Sequence, residues 1–185
     1  MGGAMSSVII SGDTSGSIIL QAPAVSGSTT LTLPTTSGTV LTSANTFANS
    51  GGPAFSAYQS SSQTGIANGV FTKILFQTEE WDTNNNFASS TFTPTVAGYY
   101  QINAAVAWLA GYNSPIISIY KNGSIYKDGV SLPTNTYRST VNAIVYCNGS
   151  SDYVEIYGQQ LSGGSGSIAA AINYTYFQAA MIRGA

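Results

Sequence analysis

The chain has 185 residues, a formal net charge of −2, one cysteine and no histidine. Charged side chains make up 6% of it against 43% hydrophobic residues, where globular domains usually carry about 25% charge. That balance excludes a disordered chain. The missing histidine removes Ser-His-Asp and Cys-His catalysis and histidine–zinc sites. The five basic residues, Lys73, Lys121, Lys127, Arg138 and Arg183, do not cluster, so no nucleic-acid partner is expected.

Residues 1–50 read as a first unit. Short apolar pieces, Val8-Ile9-Ile10, Ile18-Ile19-Leu20, Leu31-Thr32-Leu33 and Val40-Leu41, alternate with Ser-Gly turn signals. This predicts short strands, each too small to bury a core alone. Asp13 is the one charged residue before residue 73, so this arm is expected to pack on its sister chains or on a partner. Its attachment residues are Ile18, Leu20, Leu31, Leu33, Val40 and Leu41. No apolar run is long enough to cross a bilayer, and the stretch after Met1 lacks a basic region followed by an apolar one. Synthesis in a host cytoplasm, without membrane association, is the expectation. Gly51-Gly52-Pro53 then breaks any regular element.

Residues 51–185 read as a second unit. Pro53 to Tyr58 and Val70 to Thr78 predict strands, followed by an Asn- and Asp-rich loop. Gln101 to Leu109 predicts a strand with Ile102, Ala104, Val106 and Trp108 on one face. Ile116–Tyr120, Asn122-Gly123 and Ile125–Lys127 predict a hairpin on a type I′ turn. Thr140–Cys147 and Tyr153–Tyr157 predict a second hairpin around Asn148-Gly149-Ser150-Ser151-Asp152. Ala169 to Ile182 predicts a closing strand. Cys147 fits a small buried hydrophobe better than a reactive thiol.

The final stretch is apolar on both alternating faces: Ile172, Tyr174, Tyr176, Ala180 and Ile182 against Phe177, Ala179 and Met181. A strand with one wet face should alternate, so two dry faces predict a neighbouring subunit. Tyr174, Tyr176, Ala180 and Ile182 are the candidate trimer-interface residues.

Two resemblances add to this reading. Phe92-Thr93-Pro94-Thr95-Val96-Ala97-Gly98-Tyr99-Tyr100 matches the Phe-x-Pro-x-x-x-Gly-x-Tyr corner of the complement-type globular head, the C1q and tumour necrosis factor jelly-roll superfamily. Pro53–Tyr58 and Tyr176–Ile182 resemble that family's first and last strands. The resemblance implies an all-β, homotrimeric jelly-roll sandwich without enzymatic activity, here behind an extended N-terminal arm of short strands. Ser28 to Ser43 (STTLTLPTTSGTVLTS) resembles N-terminal segments of tailed-phage virion proteins. It implies a virion surface protein, a capsid decoration or head fibre, docked on phage capsid or tail proteins through residues 1–50. Fully extended, 50 residues reach at most ~170 Å, which favours a compact decoration over a reaching fibre. The alternative is a tail-fibre tip or adhesin that recognises a host cell surface, with Tyr112, Tyr126 and Tyr137 as loop candidates.

The acidic stretch Glu79, Glu80, Asp82 is the remaining chemical candidate. Adjacent glutamates on a strand point to opposite faces, which disfavours a glycosidase pair. Glu80, Asp82 and Asn84 could ligate calcium, but Asx-turn chemistry accounts for the same residues, and no cofactor is expected.

Overall fold

In the computed structural model, residues 7–11, 17–21, 52–131 and 133–185 are described. The chain divides into two units, Met1–Thr42 and Ser43–Ala185. In the first, β1 (Ser7–Ser11) and β2 (Ser17–Gln21) pair antiparallel, with Val8 opposite Leu20 and Ile10 opposite Ile18. Of the expected attachment residues, Ile18 and Leu20 therefore lie on β2, while Leu31, Leu33, Val40 and Leu41 fall outside the described residues.

The second unit is all-β, with no helix among the described residues. Its strands are β3 (Ala54–Tyr58), β4 (Gln63–Ile66), β5 (Thr72–Lys73), β6 (Thr78–Asp82), β7 (Phe87–Ala88), β8 (Thr91–Phe92), β9 (Ala97–Tyr112), β10 (Ile116–Lys121), β11 (Ser124–Asp128), β12 (Thr136–Asn148), β13 (Val154–Gln159), β14 (Gly166–Ile168) and β15 (Tyr176–Gly184). They form two sheets. One runs β4-β14-β9-β15-β3-β6, with β12 on the other side of β9; the second runs β11-β10-β13-β8-β7, with β5 on β13.

The core lies between the sheets. Phe55 is its centre: its ring stacks on Phe87 at 4.5 Å and meets Phe92 and Phe177 at 4.8 Å. As predicted, Ile102, Ala104, Val106 and Trp108 all point inward from β9. The Phe-x-Pro-x-x-x-Gly-x-Tyr corner has a clear physical role. Phe92 and Tyr100 pack edge to face at 5.4 Å, and the buried Tyr100 hydroxyl donates to the Val96 carbonyl at 2.6 Å. At Gly98 a Cβ would stand 2.5 Å from the Arg183 carbonyl oxygen, so only glycine lets β9 and the end of β15 approach. Asn122 and Gly123 both take positive φ, 54° and 78°, which makes the predicted type I′ turn between β10 and β11.

Three sequence expectations are corrected. Val70 to Thr78 is not one strand: only Thr72–Lys73 and Thr78–Asp82 are extended in ladders. Between them glutamine side chains replace strand partners. Gln63 donates to the Lys73 carbonyl and accepts from the Leu75 amide, both at 2.8 Å, and Gln59 donates to the Leu75 carbonyl at 3.0 Å. Residues 148–152 do not close a hairpin, because β12 pairs with β9 while β13 pairs with β10. The chain crosses from one sheet to the other there. Asn148 Oδ1 accepts the amides of Ser150, Ser151 and Asp152, all at 3.0 Å, and this folds the crossing. Finally, Ala169–Ile182 is interrupted: Thr175 accepts the Ala107 amide at 3.1 Å and donates to the Ala169 carbonyl at 2.9 Å, so β15 begins at Tyr176.

Candidate interaction faces of the head

The register fixes which side chains share the outward face of the seven-stranded sheet. Val141, Ala104, Phe177 and Ala57 form one cross-strand row and are buried in the core. Their strand neighbours Asn142, Asn103, Gln178 and Ser56 therefore form a row on the opposite side. Beside it run Thr140, Ala105, Tyr176 and Tyr58 on one flank, and Ile144, Gln101, Ala180 and Ala54 on the other. Tyr146 and Tyr99 follow, their rings 5.4 Å apart.

This face is apolar, aromatic or amide-bearing nearly throughout. Ile144 is 52% exposed, and Ala105 and Ala107 leave the sheet flat in its middle. A short polar chain crosses it: Gln178 donates to Ser56 Oγ at 3.0 Å, and Ser56 donates to Glu80. Arg138 stands at one border with its guanidinium 3.7 Å from the ring centre of Tyr174.

The predicted interface residues are thus distributed unevenly. Tyr176 and Ala180 share the face. Tyr174 lies at its border, on the turn before β15, and Ile182 sits 54% exposed at the irregular register between Met181 and Arg183. Ile172 lies off the strand altogether, and Gln178 breaks the run between Tyr176 and Ala180. The sequence reading did not single out Ile144 and Tyr146. Their signal was present, in the period-2 spacing of β12, but the misplaced hairpin assigned that strand to the wrong neighbour.

The acidic residues diverge. Glu80 is the extra residue of a bulge opposite Ser56 and Ala57, bonded to Ser56. Asp82 spends both carboxylate oxygens on backbone amides, Asn84 at 3.2 Å and Phe87 at 2.7 Å. The Asn84 side chain meets the Thr83 hydroxyl at 2.7 Å. Among the described residues no group of three acidic, cysteine or histidine side chains is placed to hold a metal ion.

The aromatic candidates for host recognition lie on strands rather than loops. Tyr112 packs on Trp108 and accepts the Ser167 amide at 3.0 Å through its hydroxyl, whereas Tyr126 and Tyr137 are exposed on β11 and β12. Cys147 is buried, and desolvation pushes its thiol up to about 11, so it stays protonated at neutral pH.

Known structures share this architecture. The globular domain of zebrafish complement 1qA aligns over 72% of this chain and 99% of its own, at 14% identity and a TM-score of 0.50. Murine APRIL at pH 8.0 aligns over 70% of this chain and 98% of its own, at 8% identity and a TM-score of 0.51. The head has the C1q/TNF-type jelly-roll fold. At these identities the likeness speaks for the fold alone. No family profile and no curated protein sequence matches the chain.

Proposed function

We propose that the chain is a non-enzymatic structural protein of a tailed-phage virion surface, a homotrimeric capsid decoration or head-fibre protein that docks through residues 1–50. The observation that carries the division of labour is the contrast between its two units. The head contains a complete aromatic core, while the described part of the first unit is a hairpin of two five-residue strands. Such a hairpin is marginal alone and gains stability by packing on other chains. The phage assignment itself rests on the Ser28–Ser43 phrase. The trimer would form on the outward face of the seven-stranded sheet, whose small and aromatic residues suit close packing.

With Asp13 its one charge, the arm would dock by apolar burial and backbone pairing, so its attachment should resist salt. The test is to delete residues 1–50 and add the truncated protein to particles lacking it. A folded head that no longer binds supports the reading; a truncated head that decorates particles normally sinks it. Antibody-gold against residues 53–185 would separate capsid from tail. Label at the tail would favour the second reading, a receptor-binding adhesin, to which the exposed Tyr126 and Tyr137 lend support.

A further inference from the structure

The opposite side of the head carries a different surface. On the outward face of the six-stranded sheet the rings of Tyr120 and Tyr157 stack with centroids 4.0 Å apart, and Phe71 stands edge-on to Tyr120 at 5.8 Å. All three rings are partly exposed. Glu155 lies directly opposite Tyr120 in the ladder and is only 8% exposed. Its Oε1 accepts from Lys73 Nζ at 2.6 Å and from Thr91 Oγ1 at 2.9 Å. Among the described residues its Oε2 has only a long 3.4 Å contact from the Tyr157 hydroxyl. On the other flank Ser118 donates to Asp128 Oδ1 at 2.6 Å.

We infer that this face binds a neutral, hexose-containing glycan, with Tyr120, Tyr157 and Phe71 as the stacking group and Glu155 Oε2 as an acceptor for a sugar hydroxyl. A pyranose has an apolar C–H face edged by hydroxyls. It is matched by aromatic rings that carry hydroxyls of their own, set beside a carboxylate with spare acceptor capacity. The charge balance selects against ionic ligands. Lys73 neutralises Glu155, and the remaining Asp128 would repel an acidic glycan or a nucleic acid. The site is already ordered: Tyr120, Tyr157 and Glu155 stand on paired strands, with Ser118 opposite Tyr157 and Tyr157 opposite Lys73, and Phe71 directly precedes β5. Little conformational freedom is lost on binding. The inference rests on the reading that the head is displayed outward, and it uses the sheet face that the proposed trimer leaves free.

The experiment uses the full chain in solution with uncharged hexaoses of glucose, mannose and galactose, plus hexagalacturonate as the acidic control. Saturation-transfer NMR detects binding and calorimetry measures it. At least one neutral hexaose should bind with Kd below about 1 mM. Tyr157→Leu should weaken it at least tenfold, Tyr157→Phe less than threefold, and Glu155→Gln severalfold, while Val96→Ala at the exposed position before β9 changes nothing. Melting curves check that each variant is folded. The inference is overturned if no neutral hexaose binds, if hexagalacturonate binds in their place, or if folded Tyr157→Leu binds like the parent. Because no virion enters the assay, failure here is distinct from failure of the display reading, which the gold labelling reports.

Discussion

The Asn122 side-chain amide donates to Asp152 Oδ1 at 2.7 Å, tying the β10–β11 turn to the crossing between the two sheets. Asn122 Oδ1 accepts the Tyr153 amide at 2.9 Å, and Lys121 pairs with Asp152 Oδ2 at 2.9 Å. Two stretches 30 residues apart are joined by one asparagine that the turn already required for its positive φ.

Asp152→Ala should destabilise the head by about 2–3 kcal/mol, since it strips partners from Asn122, Lys121 and the Asn148 amide. The Asn122 amide is the main cause that lowers the Asp152 carboxyl below its ordinary value; burial opposes it, and Lys121 and the Asn148 amide add to the lowering. A depressed folded-state pKa contributes stability above the unfolded value near 3.9, and that stability is lost as pH falls through the folded value. Denaturant melts between pH 7 and pH 2 should show a parent-specific loss below about pH 4 that Asp152→Ala lacks.

Gly98→Ala should cost about 1–3 kcal/mol, because its Cβ would meet the backbone oxygen of Arg183 rather than a movable side chain. Thermal unfolding measures it. An unchanged melting temperature would mean that β15 can shift freely at that end.

Cys147 should not react with a thiol reagent such as DTNB at pH 8 in the folded protein, since burial raises its thiol to about 11. It should react fully in denaturant. Fast labelling of the native protein would place the residue outside the core.

Removing divalent ions should leave the melting temperature unchanged, because Asp82 is engaged with the amides of Asn84 and Phe87. Asp82→Ala should still lower stability by about 1–2 kcal/mol through the lost turn. A drop of several degrees with EDTA would instead make Glu80, Asp82 and Asn84 calcium ligands.

Tyr176→Asp should convert a trimer into a species near the monomer mass of 19.1 kDa in sedimentation equilibrium. The charge would enter a face on which Tyr176 lies between Ala105 and Tyr58, and an unpaired charge in a dry interface is strongly disfavoured. A parent protein that sediments at 19.1 kDa would remove the trimer itself.

Much of this protein was legible locally. Alternation fixed the inward set of β9, Asn122-Gly123 fixed the β10–β11 turn, and Phe92 and Tyr100 marked the corner, because each depends on neighbours a few residues away. The sequence by itself therefore determined the all-β class, the jelly-roll corner and the charge-poor first unit. Partnership across the sandwich was not legible. Thr140–Cys147 and Tyr153–Tyr157 look like a hairpin in sequence, yet β12 and β13 lie in different sheets. The gap at residues 74–77 depends on Gln59 and Gln63, which lie more than ten residues away. The two outward faces, and the meeting of Phe71, Tyr120, Tyr157 and Glu155 on one of them, were decided only in the tertiary structure. Strand register brings such residues together through backbone pairing over long separations, and period-2 patterns are the same whichever partner a strand takes.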